Sequence, residues 1–126
     1  MGTVRKVQVT FDCAEPERVA RFWCSVLGYV SGGDFGDAAV AQDPAGEGPR
    51  LYFQRVPEGK TVKNRVHLDV RVGTGLVGAE RLAVLTAESE RLVALGATVF
   101  QVLVADEENE SCIVMQDVEG NEFCLD

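Results

Sequence analysis

The residues of this chain best suited to chemistry lie around its only histidine, His67. Apolar and polar residues alternate over positions 65–71, which is the pattern of a strand with one face in the core and the other open to water or a ligand. The apolar residues predicted to face the core are Val66, Leu68 and Val70. His67 and Asp69 fall on the polar face, where imidazole and carboxylate groups can bind a metal or move a proton. A histidine that is simply solvated on a sheet face explains this position equally well.

The stretch around His67 is one half of a duplication. A strand predicted from about Val4 to Asp12 has the same alternation and aligns Gln8 with His67. Its predicted inward residues are Val7, Val9 and Phe11. A helical pattern ending in Leu-Gly follows each strand, and each half then carries Gln-Asp-x-x-Gly. Matched segments in the same order indicate two copies of one module, and the shared Gln-Asp-x-x-Gly argues against a chance match of apolar strings.

Each module is predicted to contain one strand, one helix and three further strands. In the first module, Pro16 suits the first turn of a helix that Gly28 ends. Its later strands are predicted at 29–31, 38–42 and 50–56, with a glycine-rich turn at 32–37. The second module has a helix at about 77–95 and strands at 98–104, 111–116 and 122–125. This pattern predicts an α+β fold in which two βαβββ modules form a curved mixed sheet around a cleft.

Residues 1–126 are predicted to form a single domain, because either half alone is too small for a stable core. Module one covers about 1–56, an aperiodic polar linker covers 57–64, and module two covers 65–126. The polar strand faces are expected to line the cleft, which makes it a candidate small-molecule site. The predicted lining residues are Gln8, Thr10, Asp12, Tyr52, Gln54, His67, Asp69, Arg71, Glu122, Cys124 and Asp126.

Charge and composition exclude several kinds of partner. The net charge is −8 and lysines and arginines form no run, which argues against nucleic acid and against an anionic membrane surface. No segment approaches the roughly 20 apolar residues of a membrane span, and no signal-peptide pattern opens the sequence, so a cytoplasmic location is expected. The four cysteines show no Cys-x-x-Cys spacing. Free thiols are therefore expected, and a bridge between Cys112 and Cys124 is the lesser alternative.

The sequence resembles the vicinal oxygen chelate superfamily, and within it the glyoxalase-like domains. The matching segments are Phe22-Trp23, Leu27-Gly28-Tyr29, Arg65-Val-His-Leu-Asp69, Leu95-Gly-Ala97 and Asp117-Val-Glu-Gly-Asn-Glu-Phe123. The last is the most specific, although the family more often has proline where Val118 stands. The resemblance spans almost the whole chain and implies paired βαβββ modules. In many members it also implies a divalent metal held by a histidine or glutamine on the first strand of each module and a glutamate on the last.

Those implied metal positions fall on Gln8, Gln54, His67 and Cys124 of this sequence. Gln8 and His67 are acceptable ligands, but Gln54 and Cys124 replace both carboxylates. A magnesium, manganese or nickel site would lose the charge that neutralises the cation and the group that moves the substrate proton. We therefore expect no cofactor, with zinc on His67 and the Cys124 thiolate as the alternative for a divalent metal.

Three functions are consistent with the resemblance. The first is a small-molecule-binding protein with a degraded metal site that sequesters an organic metabolite or antibiotic, as bleomycin resistance proteins do. Its candidate ligand-binding residues are Gln8, Thr10, Tyr52, Gln54, His67 and Cys124. The second is a metal-dependent lyase, isomerase or dioxygenase of the glyoxalase type, with His67, Asp69 and Glu122 as catalytic candidates. The third is a non-catalytic interaction module. Relatives commonly dimerise, so a homodimer is expected, with modules paired within one chain or exchanged between chains.

Overall fold

Each half of the duplication folds around its own four-stranded mixed sheet. The computed structural model describes residues 2–126, in which the first unit ends at Gly59 and the second begins at Lys60. In both units the order along the chain is one strand, one helix and three strands. The predicted α+β class and the duplicated βαβββ arrangement are therefore confirmed.

The first unit consists of a helix and a sheet in the order β1-β4-β3-β2. Its elements are β1 (Gln8–Cys13), α1 (Pro16–Leu27), β2 (Val30–Asp34), β3 (Ala38–Gln42) and β4 (Arg50–Arg55). Strands β1 and β4 pair in parallel, whereas the other two pairings are antiparallel.

Helix α1 begins and ends at the residues predicted from the sequence. Pro16 occupies its first turn, where a missing N–H group costs little. Gly28 ends the helix in the left-handed conformation, with φ of 70°, and donates its backbone N–H to the carbonyl of Cys24. The apolar face of α1 is buried, and the ring of Trp23 lies 5.3 Å from that of Phe11 on β1. This packing leaves the other face of the sheet for polar side chains.

The second unit repeats the arrangement, with the strand order β5-β8-β7-β6. Its elements are β5 (Asp69–Val70), α2 (Gly78–Ala94), β6 (Thr98–Leu103), β7 (Cys112–Gln116) and β8 (Glu122–Leu125). Leu85 and Leu92 of α2 are fully buried with Met115, Phe123 and Leu125 of the sheet. Strand β5 pairs in parallel with β8, as β1 does with β4.

The strands that open each module are shorter than predicted. Around His67, only Asp69 and Val70 pair with β8, and Val66 is 78% exposed rather than inward-facing. Likewise β1 begins at Gln8, and Val7, predicted to face the core, is 69% exposed. Alternation marks residues able to form a strand, but the extent of the strand is set by its pairing with a neighbour that is distant in sequence.

The predicted glycine-rich turn at 32–37 is also partly wrong, because β2 continues to Asp34. An irregularity in the register between Ser31 and Gly33 lets Gly33 pair with Val40 and Asp34 with Ala39. Gly33 has φ of 139°, a conformation that residues with a side chain rarely adopt. The glycines therefore form a bulge within a strand rather than ending it.

Residues 57–64, predicted to be a linker, contain no helix or strand. The later part of this segment belongs to the second unit, because Lys60 and Asn64 bind the carboxylate of Glu122. All four cysteines are free, so the alternative of a bridge between Cys112 and Cys124 does not apply. Among residues 2–126, neither helix combines the length and apolar character needed to cross a bilayer.

Candidate functional site

The open face of the first unit's sheet carries two aligned rows of polar side chains. The register of β1 with β4 pairs Gln8 with Arg50, Thr10 with Tyr52, and Asp12 with Gln54. The intervening residues of β4, Leu51 and Phe53, are fully buried on the opposite face. The four predicted ligand-binding residues of this unit, Gln8, Thr10, Tyr52 and Gln54, therefore share one face.

Arg50 lies on this face but is not among the predicted site residues. Its guanidinium donates a hydrogen bond to Oε1 of Gln8 at 2.9 Å, and its Cζ lies 5.9 Å from the centre of the Tyr52 ring. Arg50 lies two positions before Tyr52 and four positions before Gln54 in the sequence, and this spacing already places all three residues on one strand face. The exposed guanidinium thus gives the face a fixed positive charge, next to the Gln8 oxygen that a metal would need.

Gln54 is held by a neighbour on β1. Its Nε2 donates to Oδ1 of Asp12 at 2.8 Å, which points the amide nitrogen toward the carboxylate and leaves the amide oxygen as an acceptor. An amide has no basic atom near neutral pH, so Gln54 can orient a ligand but cannot accept its proton.

His67, Asp69 and Cys124 form a compact group of metal-ligating side chains in the second unit. Nδ1 of His67 lies 3.3 Å from Oδ1 of Asp69 and 3.8 Å from Sγ of Cys124. One ligand atom from each residue lies within 4.8 Å of the other two. The pairing of Asp69 with Cys124 across β5 and β8 fixes two members of the group, and His67 precedes Asp69 by two residues. His67 and Asp69 are exposed, whereas Cys124 is 8% exposed.

The geometry of this group does not fit nucleophilic catalysis. Both Cys124 and Asp69 approach the same nitrogen of His67, whereas a catalytic triad needs the nucleophile and the orienting carboxylate on opposite nitrogens. Burial, followed by the negative charge of Asp69, raises the pKa of Cys124 to about 11. The sulfur is therefore protonated near neutral pH and is a poor nucleophile until a metal displaces the proton.

Glu122, predicted as a catalytic candidate, forms an ion pair with Lys60 within the second unit. Its carboxylate lies 3.1 and 3.2 Å from Nζ of Lys60 and accepts the backbone N–H of Asn64 at 2.7 Å. Burial raises the pKa of Glu122, but the Asn64 N–H and the Lys60 ammonium outweigh burial and lower that pKa to about 2. With 7% of the residue exposed, this geometry supports a structural role, in which Glu122 fastens residues 60–64 to β8.

The donors that the resemblance implies for a family metal do not fit a hard cation. Gln8 and Gln54 belong to the first unit, and His67 and Cys124 to the second. No carboxylate occurs among the four, and the Gln8 oxygen is beside a guanidinium. Mg²⁺ and Mn²⁺ favour negatively charged oxygen ligands, which this set lacks. The expectation that no cofactor is required is nevertheless unsupported, since His67, Asp69 and Cys124 could hold a different metal.

Comparisons with known proteins identify the family. The sequence model of the family described as glyoxalase-like domain matches residues 8–125. No curated protein sequence matches the chain. A fosfomycin resistance protein FosX variant from Listeria monocytogenes, complexed with Mn(II) and 1S,2S-dihydroxypropylphosphonic acid, has a TM-score of 0.72 at 12% identity, over 98% of this chain and 90% of that chain.

Two further solved structures share the fold across nearly their whole length. A glyoxalase/bleomycin resistance protein/dioxygenase family enzyme from Burkholderia phytofirmans PsJN has a TM-score of 0.70 at 14% identity, over 94% of each chain. A possible glyoxalase from Bacillus cereus has a TM-score of 0.66 at 15% identity, over 98% of each chain. Because the family model covers nearly all of the sequence, this chain belongs to the glyoxalase-like domain family of the vicinal oxygen chelate superfamily.

Proposed function

We propose that this protein binds a small organic anion on the polar face of the first unit's sheet. The observation that carries the proposal is the position of Arg50, whose guanidinium contacts both Gln8 and the Tyr52 ring. A guanidinium presents a planar fork of donors that matches a carboxylate or phosphonate. Thr10 and Gln54 add hydrogen-bonding groups on the same face, and Tyr52 adds an aromatic surface.

Sequestration of a metabolite or antibiotic requires only this recognition. Gln54 stands where the family has a carboxylate and cannot move a proton, so binding without turnover is the simplest use of the face. The FosX relative holds a phosphonic acid, which is an anion of the class that a guanidinium recognises. Phosphonates and small carboxylates are therefore the first ligands to test.

The test is the affinity for anionic compounds, each paired with a neutral analogue of the same size. Thermal shift selects compounds that stabilise the wild-type protein, and calorimetry measures their dissociation constants. Arg50→Gln is expected to weaken binding of the anions by about tenfold or more, because a hydrogen bond to a charged group contributes about 1.5–3 kcal/mol.

The matched control is Arg21→Gln, which removes an exposed arginine from α1, where it pairs with Glu17. This variant is expected to bind as the wild type does. Equal binding of the neutral analogues, or unchanged affinity in Arg50→Gln, contradicts the proposal. The absence of any stabilising compound in a broad panel of anions contradicts it as well.

We also infer a homodimer located in the cytoplasm. Strand β6 lies at an edge of its sheet, and all six of its residues are exposed, including Val99, Phe100, Val102 and Leu103. An apolar edge without lysine or proline favours pairing with another strand. A second copy is the partner that the charge favours, since antiparallel pairing of two β6 strands keeps their acidic 106–110 segments at opposite ends. Four free thiols are consistent with a reducing compartment.

A further inference from the structure

We propose that the second unit binds one Zn²⁺ ion through Nδ1 of His67, a carboxylate oxygen of Asp69 and Sγ of Cys124. These atoms represent the three donor types that zinc accepts in proteins, namely imidazole nitrogen, carboxylate oxygen and thiolate sulfur. The thiolate and the carboxylate together balance the two positive charges of the ion. The site goes beyond the anion-binding function, which requires no metal.

The spacing of the donors is close to the edges of a zinc tetrahedron. Zinc bonds of about 2.0–2.2 Å to nitrogen and oxygen and about 2.3 Å to sulfur give edges of about 3.3 Å for N···O and about 3.6 Å for N···S. The observed separations from Nδ1 of His67 are 3.3 Å to Asp69 and 3.8 Å to Cys124. Small side-chain rotations within a group already confined to 4.8 Å would complete the arrangement.

The backbone holds two of the three donors in place. Asp69 and Cys124 are paired residues of β5 and β8, and the Cys124 N–H donates to the carbonyl of Leu68 at 2.9 Å. One residue further, the N–H of Asp126 donates to the carbonyl of Val70 at 2.9 Å. A site carried by paired strands loses little entropy when the ion binds.

This donor set differs from the one that the family resemblance implies. All three ligands lie in the second unit, and Asp69 supplies a carboxylate, whereas the four positions that the resemblance implies contain none in this chain. The neighbouring thiol, Cys112 on β7, is outside the compact group. Three protein ligands leave the fourth position of zinc open, which is the usual form of a catalytic rather than a structural zinc site. A metal held in this way would supply a Lewis acid to the second unit.

The experiment is a titration of the full-length protein with Zn²⁺ and, in parallel, with Co²⁺ as a spectroscopic probe. We expect one equivalent to bind per chain, and Co²⁺ to produce the near-ultraviolet charge-transfer absorption of a cobalt–thiolate bond. His67→Gln, Asp69→Asn and Cys124→Ser should each weaken Zn²⁺ binding by about 100-fold or more, since loss of an outer partner alone costs about 10–100-fold. Cys124→Ser should also abolish the charge-transfer band.

Cys112→Ser is the matched control, because it removes another thiol from the same sheet, and it should bind Zn²⁺ as the wild type does. Asp69→Asn alters an exposed side chain without changing its size, so it separates loss of a ligand from loss of the fold, which circular dichroism checks. The assignment is overturned if the wild type fails to bind Zn²⁺, or if Asp69→Asn and Cys124→Ser both bind normally. It is also overturned if Cys112→Ser loses as much affinity as Cys124→Ser.

Discussion

Two carboxylates are missing from the positions that the family resemblance assigns to a metal, and other charges lie near those positions. In the first unit, Arg50 places a cation beside Gln8 on the face that also bears Gln54. In the second unit, Asp69 places an anion beside Cys124 and His67. The Arg50 end of the first sheet's open face, away from the Asp12 carboxylate, is therefore suited to an anion, and the group of His67, Asp69 and Cys124 in the second unit is suited to a cation.

The ion pair of Glu122 with Lys60 is expected to stabilise the folded second unit. Glu122→Gln is expected to lower the free energy of unfolding by about 2 kcal/mol at pH 7, because Lys60 loses its counter-charge and the buried site loses a charged acceptor. Urea denaturation followed by circular dichroism measures the change. Glu107→Gln, at an exposed position, is the control and should change stability by less than about 0.5 kcal/mol.

The depressed pKa of Glu122 predicts how this contribution depends on pH. The pKa is about 2 in the folded protein and 4.5 as the ordinary value, so the stabilisation is fully present above about pH 4.5. It is lost as the pH falls toward 2, where the folded protein also binds the proton. The wild type should therefore lose its advantage over Glu122→Gln across that window. A difference in stability that stays constant from pH 7 to pH 2.5 would contradict this account.

Whole elements were more predictable than the ends of strands. The limits of α1 follow from Pro16 and Gly28 because each has a backbone preference that acts locally. The length of β5 depends instead on its pairing with β8, which is distant in sequence and pairs only with Asp69 and Val70. No local pattern could have shown that Val66 is exposed.

The candidate site was predictable to the extent that it depends on strand alternation. Alternation correctly placed Gln8 and Gln54 on the open face, and the same spacing would have added Arg50. The partners of Glu122 were not predictable, because Lys60 and Asn64 lie in an irregular segment with no periodicity. Contacts made by such segments are set by the tertiary fold rather than by residue spacing.

Gly28 is expected to stabilise the end of α1, the helix that packs against the first unit's sheet. Gly28→Ala should lower the free energy of unfolding by about 1 kcal/mol, because its φ of 70° is unfavourable for a residue with a Cβ, although nothing within 4 Å would obstruct that atom. Gly59→Ala is the matched control, since its surroundings are equally open and its φ lies outside the left-handed region. Thermal denaturation should give a lower melting temperature for Gly28→Ala than for Gly59→Ala. Equal melting temperatures would refute the role of Gly28 in ending α1.

For the whole molecule, the duplication has produced two sheets of the same topology with different surfaces. Strands β2 and β6 occupy equivalent edge positions, but β2 contains two glycines and an aspartate, whereas four of the six residues of β6 are large and apolar. Both edges have an irregularity in register, between Ser31 and Gly33 of β2 and between Val99 and Gln101 of β6, so the two edges differ in apolar content, and an open apolar edge favours association. The two edges should therefore differ in their tendency to associate, and β6 is the one expected to pair between copies.

The proposed self-association of β6 can be tested with a lysine on this strand. Val102→Lys should convert the proposed dimer to a monomer, because pairing two β6 strands would bury or oppose the new charges. Analytical ultracentrifugation over a range of concentrations measures the dissociation constant, which we expect to rise at least tenfold. Val93→Lys is the control, since Val93 on α2 is 46% exposed and Val102 is 48% exposed. A monomeric wild type would rule out the proposed dimer. Equal dissociation constants for the two variants would show that β6 is not the interface.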